Sequence, residues 1–210
     1  MEFESILRET RVLGILRAPD GESALQAALA GLRGGLKVLE VTFTVPEALE
    51  VLKALKAQQP EALLGIGTVM DAAQGQAAIA AGAAFLVSPH LDEELLQLAQ
   101  EARIPYLPGV LSPTEVARAL RLGARVIKIF PIAPVGGVAY LKDLRGPFPT
   151  LRPLVTGGVS PAEVGRYLAA GALAAGLGSQ LFPQEALAQK NWAAVERAVR
   201  SALQSIGGSS

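Results

Sequence analysis

Lys128 sits at the centre of Arg125-Val126-Ile127-Lys128-Ile129-Phe130-Pro131, an apolar, β-branched run closed by a proline. Of the six lysines in the chain, it is the one with apolar sequence on both sides. An ammonium taken out of water is costly, so such a lysine either pairs with a carboxylate or is held partly neutral. A neutral amine is a nucleophile toward carbonyl carbon. The run Val38-Leu39-Glu40-Val41-Thr42-Phe43 encloses a carboxylate, Glu40, in the same way. Two readings follow: a structural ion pair, or an amine nucleophile facing a group that moves protons. Two further stretches, Thr156-Gly157-Gly158 and Gly176-Leu177-Gly178-Ser179, end apolar runs in glycine. Consecutive backbone N–H groups there, with a helix N-terminus after each turn, predict an anion site, against the alternative of ordinary tight turns.

The elements that would bring these residues together recur along the chain. Apolar runs lie at Val12–Leu16, Lys37–Phe43, Leu63–Thr68, Ala84–Ser88, Pro105–Val110, Arg125–Phe130, Pro153–Thr156 and Ala172–Gly178. Between them, Ser23–Leu32, Pro46–Ala57, Ala72–Ala81, Asp92–Ala102, Pro113–Leu122 and Pro161–Ala169 carry apolar residues at helical spacing. Pro46, Pro113 and Pro161 stand at first-turn positions, and Gly34-Gly35, Gly82, Gly123 and Gly171 at helix ends. Eight strands alternating with helices, each apolar on both faces, predict a covered parallel sheet and a single (β/α)8 TIM barrel over residues 1–206, with a frayed tail at 207–210. A doubly wound open sheet is the structural alternative. In a barrel, Glu40 and Lys128 fall on the second and sixth strands, which contribute to a common interior layer. Alternation then groups Val38, Glu40 and Thr42 on one inward face, and Val126, Lys128 and Phe130 on another.

Composition narrows the function classes. The 210 residues are half hydrophobic but only 5% aromatic, so the core is built from Ala, Leu and Val. Lysine plus arginine balances aspartate plus glutamate at 19 each, which argues against nucleic acid as partner. There is no cysteine and one histidine, His90, so neither a thiolate site nor a multi-histidine metal site is available. No apolar run approaches the roughly 18 residues of a membrane span, and the acidic N-terminus lacks a signal-peptide core. The expectation is a soluble, cytoplasmic protein. His90 reads either as a solvated loop residue or as a contact to substrate or a neighbouring subunit.

The segments Leu39-Glu40-Val41-Thr42-Phe43, Gly65-Ile66-Gly67-Thr68-Val69, Val87-Ser88-Pro89, Pro108-Gly109-Val110, Lys128-Ile129-Phe130-Pro131, Gly146-Pro147-Phe148-Pro149 and Thr156-Gly157-Gly158-Val159-Ser160 resemble, in the same order, the 2-keto-3-deoxy-6-phosphogluconate (KDPG) and 4-hydroxy-2-oxoglutarate (KHG) aldolase family. The resemblance implies a class I class of lyase that cleaves a 2-oxo acid or sugar acid phosphate to pyruvate and an aldehyde. It implies Lys128 as the Schiff-base lysine and Glu40 as the acid/base acting through water. Thr68, Pro89, Phe130 and Thr156 would surround the substrate, with Gly157, Gly158, Gly178 and Ser179 at its phosphate. It also implies a homotrimer that needs neither metal nor organic cofactor.

The resemblance breaks at one position. Members that favour the gluconate substrate read Glu-Val-Thr-Leu-Arg-Thr, and here Thr44 replaces that arginine. Threonine supplies no bidentate cation, so carboxylate recognition passes to Arg17, at the end of the first run, unless Arg17 pairs with Asp20 or Glu22. Related phosphogalactonate aldolases are similar in having Ile-Leu-Arg there. Three alternatives stand beside the KDPG/KHG reading: a phosphogalactonate aldolase, a phosphate-binding barrel such as an epimerase or synthase with Lys128 as an ionic contact, and a non-catalytic sugar-phosphate-binding module.

Overall fold

Strands that are apolar on both faces need cover on both faces, and in the computed structural model, which describes residues 2–207, they have it. Nine strands form one wholly parallel sheet: β1 Val12–Leu16, β2 Val38–Thr42, β3 Leu63–Gly67, β4 Leu86–Val87, β5 Tyr106–Leu107, β6 Gly109–Val110, β7 Ile127–Ile129, β8 Pro153–Thr156 and β9 Ala174–Leu177. Their order is β5-β4-β3-β2-β1-β9-β8-β7-β6. The two ends of that order, β5 and β6, are consecutive in the chain and separated only by Pro108. The sheet therefore closes on itself as a (β/α)8 barrel of eight staves. The fifth stave, expected as one strand over Pro105–Val110, is split because proline has no N–H for the ladder. Tyr106 and Leu107 pair back to β4, and Gly109 and Val110 pair on to β7. Pro108 still contributes its carbonyl, which accepts the Lys128 N–H at 2.9 Å.

Two apolar layers result. Alternate residues such as Leu13, Ile15, Val38, Leu107, Val126 and Leu154 fill the barrel interior. Their neighbours pack outward against the helices. The helices are α1 Glu2–Thr10, α2 Gly21–Arg33, α3 Ala48–Gln58, α4 Ala72–Ala80, α5 Glu93–Glu101, α6 Pro113–Arg121, α7 Gly137–Arg145, α8 Val164–Ala169, α9 Gln184–Ala188 and α10 Trp192–Gly207. The expected capping is seen at α6, where Pro113 follows Ser112 and a reciprocal Ser112–Glu115 capping box. All four glycine-ended helices close on a glycine of positive φ. Pro46 does not enter the first turn of its helix; α3 starts at Ala48, after a left-handed Glu47. Of the expected frayed tail, Gly207 ends α10 and residues 208–210 lie outside the described residues.

The sequence pattern named neither α7, which a Gly136-Gly137 pair introduces, nor α9 and α10 after β9, nor α1, whose role is tertiary. Phe3 and Leu7 of α1 belong to the interior cluster and close the N-terminal end of the barrel, with the Phe3 and Phe85 rings 5.1 Å apart. The opposite, C-terminal end is left for chemistry. Leu7 is fully buried in that plug. Leu7→Ala is expected to lower unfolding free energy by about 2–5 kcal/mol through loss of contact and the cavity left behind. A urea titration with an unchanged m-value checks this.

Candidate active site

Inward alternation brings Glu40 and Lys128 into the upper interior of the barrel, as the sequence predicts. Glu40 is 1% and Lys128 5% exposed, the one carboxylate and one ammonium buried this deeply among the described residues. Below them the interior is apolar. Room for the Glu40 carboxylate comes from β3: a Cβ on Gly67 would lie 2.4 Å from Glu40 Oε1. Neither carboxylate oxygen of Glu40 has a hydrogen-bond partner among the described residues. The structural ion-pair reading therefore loses its main support, since a stabilising buried pair needs close, saturated contacts. Lys128 Nζ lies over the Phe130 ring, 5.0 Å from its centroid.

The electrostatics follow from that placement. Burial pushes the Glu40 carboxyl above the ordinary carboxylate range, opposed by the positive charges of Lys128 and Arg17. Burial pulls the Lys128 amine below the ordinary lysine value, opposed by Glu40 and assisted by Arg17. Both shifts favour the neutral forms, an amine with a free lone pair and a carboxyl ready to exchange a proton.

The other expected residues line the same rim. Thr156 is buried on β8 opposite Gly176 of β9. Gly157 and Gly158 follow with φ of 91° and 82°, and a Cβ on Gly157 would press to 3.0 Å from the Phe130 ring. Arg17 ends β1, and its Nη1 lies 3.9 Å from where a Gly178 Cβ would be. Arg17 does not pair with Asp20, which instead caps α2 by accepting the Ser23 N–H at 2.7 Å and the Ser23 hydroxyl at 2.9 Å. Thr68 follows β3 in the left-handed region, with φ 56°. Pro89 follows β4 and packs on Gly109, which lies beside Lys128 in the β6–β7 ladder. Ser179 is exposed at the end of β9.

One expectation needs correction. Helix N-termini do not complete the anion cradle. After β8, the Pro161–Glu163 turn is closed by its own capping box between Ser160 and Glu163. After β9, α9 begins only at Gln184 and has five residues. What remains are the backbone N–H groups of Gly157, Gly158, Gly178 and Ser179, none of which donates to a protein acceptor among the described residues. Gly146-Pro147-Phe148-Pro149 follows α7 and leads into the start of β8, away from the site. The sequence reading assigned no role to Thr42, which is fully buried on the Glu40 face; its hydroxyl donates to the Leu16 carbonyl at 3.1 Å and meets Thr44 Oγ1 at 2.7 Å. The same two-residue alternation that picked out Glu40 marks it. A cavity of about 370 Å³ lined by Phe3, Leu96, Tyr106 and Arg125 lies at the opposite end of the barrel and shares none of these residues. No group of three or more metal-binding side chains occurs among the described residues, and none of their helices is long and apolar enough to cross a membrane.

A closed parallel barrel with a lysine and a carboxylate buried at its C-terminal end is the architecture of a carbonyl-processing enzyme. The family model for KDPG and KHG aldolase matches residues 3–198, and the chain belongs to that family. The 2-dehydro-3-deoxy-phosphogluconate aldolase of Pseudomonas aeruginosa is 37% identical over 202 residues, covering 96% of this chain and 92% of that one. KDPG aldolase from Legionella pneumophila, solved with pyruvate captured as a covalent carbinolamine, is 34% identical with a TM-score of 0.88, covering 95% and 97% of the two chains. A 4-hydroxy-2-oxoglutarate/2-dehydro-3-deoxyphosphogluconate aldolase from TTHB1 is 42% identical with a TM-score of 0.85, covering 98% and 99%.

The charges around Lys128 act in opposite senses, which gives a signed test. Glu40 raises the lysine value and Arg17 lowers it. Competitive acylation of Lys128 with a neutral reagent is expected to show a midpoint below the ordinary lysine value. Glu40→Gln should move that midpoint further down, and Arg17→Ala should move it up.

Proposed function

We propose that this protein is a class I, Schiff-base aldolase that reversibly cleaves KDPG to pyruvate and glyceraldehyde 3-phosphate, and 4-hydroxy-2-oxoglutarate to pyruvate and glyoxylate. The observation that carries the reading is the deeply buried Lys128 amine, held below its ordinary pKa next to a carboxylate with no protein partner. Family membership and the pyruvate carbinolamine captured in the Legionella pneumophila relative support it.

In this mechanism the neutral Lys128 amine adds to C2 of the 2-oxo acid. The protonated Glu40 carboxyl, directly or through water, gives its proton to the departing hydroxyl, so that water leaves and an iminium ion and a Glu40 carboxylate remain. The iminium draws electrons from the C3–C4 bond, which breaks as Glu40, directly or through water, takes the C4 hydroxyl proton. The aldehyde leaves, and the enamine of pyruvate takes a proton at C3. Hydrolysis of the resulting imine returns pyruvate and the free amine. Phe130, Thr68, Pro89 and Thr156 wall the pyruvate half. Arg17 binds the C1 carboxylate in place of the arginine that Thr44 replaces. Gly157, Gly158, Gly178 and Ser179 take the distant phosphate with backbone N–H groups, converting remote binding energy into positioning of the reacting carbons.

The Thr44 substitution also favours a second reading of the substrate, the phosphogalactonate epimer, because Thr44 shares its hydroxyl with Thr42 and leaves Arg17 as the cation near the site. We take the working form to be a cytoplasmic homotrimer, in line with the family resemblance.

Borohydride reduction in the presence of pyruvate is expected to leave a covalent adduct on Lys128, mapped by peptide mass spectrometry; a clean absence of the adduct would sink the mechanism. Glu40→Gln should lower kcat by about 10²–10⁴-fold, the range of a general acid/base. Arg17→Ala should raise KM for every 2-oxo acid substrate. The ratio of kcat/KM between the two phosphorylated epimers and 4-hydroxy-2-oxoglutarate decides the substrate.

A further inference from the structure

The single histidine, His90, follows Pro89 at the mouth end of β4, and its neighbours decide which ring nitrogen carries a hydrogen. Ser88 is fully buried, with its Oγ 2.7 Å from the Val69 carbonyl oxygen and 3.2 Å from His90 Nδ1. A carbonyl oxygen has no hydrogen to give, so the Ser88 hydrogen lies on the line to Val69. The serine then has only lone pairs for the imidazole, and Nδ1 must be the donor. The chain runs from His90 Nδ1–H to Ser88 Oγ–H to the Val69 carbonyl. On the other side, Nε2 stands 3.9 Å from Asp92 Oδ2, while Asp92 Oδ1 accepts the Leu95 N–H at the start of α5.

The backbone of His90 is tied more closely than its ring, whose side chain is 43% exposed. Its carbonyl accepts the Gly109 N–H at 3.2 Å and the Tyr106 hydroxyl at 3.2 Å. Tyr106 in turn accepts the Asp92 N–H at 3.4 Å, and burial pushes the phenol up to about 12, so it remains a donor. Gly109 lies opposite Lys128 in the ladder, and a Cβ there would come within 2.3 Å of the Pro89 carbonyl carbon. The Ser88–His90 segment therefore ties three loop tips: Thr68–Val69 after β3 through the Ser88 hydroxyl, on which the His90 ring bears, its own Ser88–Pro89 turn after β4, and Pro108–Gly109 between β5 and β6 through the His90 carbonyl.

We propose that His90, as the Nδ1–H tautomer donating to Ser88, is a positioning residue that holds Thr68 and Pro89 against the pocket where Lys128 meets the 2-oxo acid. The assignment of the hydrogen stands on geometry alone; the kinetic role rests on the aldolase reading.

Because His90 is the only histidine, long-range ¹H–¹⁵N correlation of its imidazole is unambiguous in the intact protein. The expected pattern for the neutral ring is that of Nδ1–H, and Ser88→Ala should shift the Nδ1 resonance. An Nε2–H pattern would overturn the proposal. In turnover, His90→Ala should raise KM about 2- to 10-fold, the worth of one neutral hydrogen bond, with a smaller change in kcat. His90→Asn, whose amide can still donate to Ser88, should recover most of the loss. Equal defects in the two variants, or a fall in kcat at unchanged KM, would also overturn it. Borohydride trapping separates the two readings. If wild-type protein gives no pyruvate adduct on Lys128, the aldolase reading fails while the tautomer pattern stands. If the adduct forms, and the ring shows Nε2–H, only the proposal for His90 fails.

Discussion

The structure turns on the desolvation of two opposite charges that share the inside of a barrel without saturating each other. Moving a carboxylate and an ammonium out of water costs several kcal/mol each, even after relaxation. A close, fully hydrogen-bonded pair would offset that cost and leave both groups charged and inert. Glu40 has no such contacts, so the cost is relieved by moving toward neutral forms instead. The same physics that makes this a poor stabilising pair favours a free lone pair on the amine and an exchangeable proton on the carboxyl. The two groups feel each other and Arg17, so they titrate as a coupled set.

The rest of the molecule keeps that pair apart from water without bringing it together. Leu13, Val38, Leu107, Val126 and Leu154 fill the barrel beneath it, and α1 closes the far end. Above, small residues make space where side chains would intrude: Gly67 beside the Glu40 carboxylate, Gly109 under Pro89, and Gly157 beside Phe130. Pro108 breaks the fifth stave, so that one half follows β4 and the other follows β7. Closure of the barrel and seating of the Pro89 loop thus meet at one point in the chain, beside Lys128.

Much of this was legible in the sequence because its signals are local. The apolar β-branched surroundings of Lys128 and Glu40 reported their burial, and alternation assigned the inward faces of Val38–Thr42 and Val126–Phe130. Ser112-Pro113 marked the start of α6, and the glycines marked helix ends. Signals that depend on what arrives from elsewhere were not legible. Nothing in α1 says that its apolar face plugs a barrel. Nor does Ser88 reveal that its hydrogen is committed to Val69.

By itself the sequence determined the alternation of strand and helix, the count of eight staves, and the identity of the two buried ionisable groups. Those properties are written in periodicities of two and 3.6 residues and in the energetic penalty for a charge among aliphatic neighbours. Only the tertiary structure decided that Glu40 and Lys128 stay unbonded, that the glycine turns after β8 and β9 present backbone N–H groups without helix termini, and that Arg17 lies close enough to shift both groups while Asp20 caps α2. Each of these depends on distances between residues far apart in the chain. The ion pair that Lys128 and Glu40 suggest on paper and the buried, unbonded pair they form differ by the space between the second and sixth staves, which only the closed barrel sets.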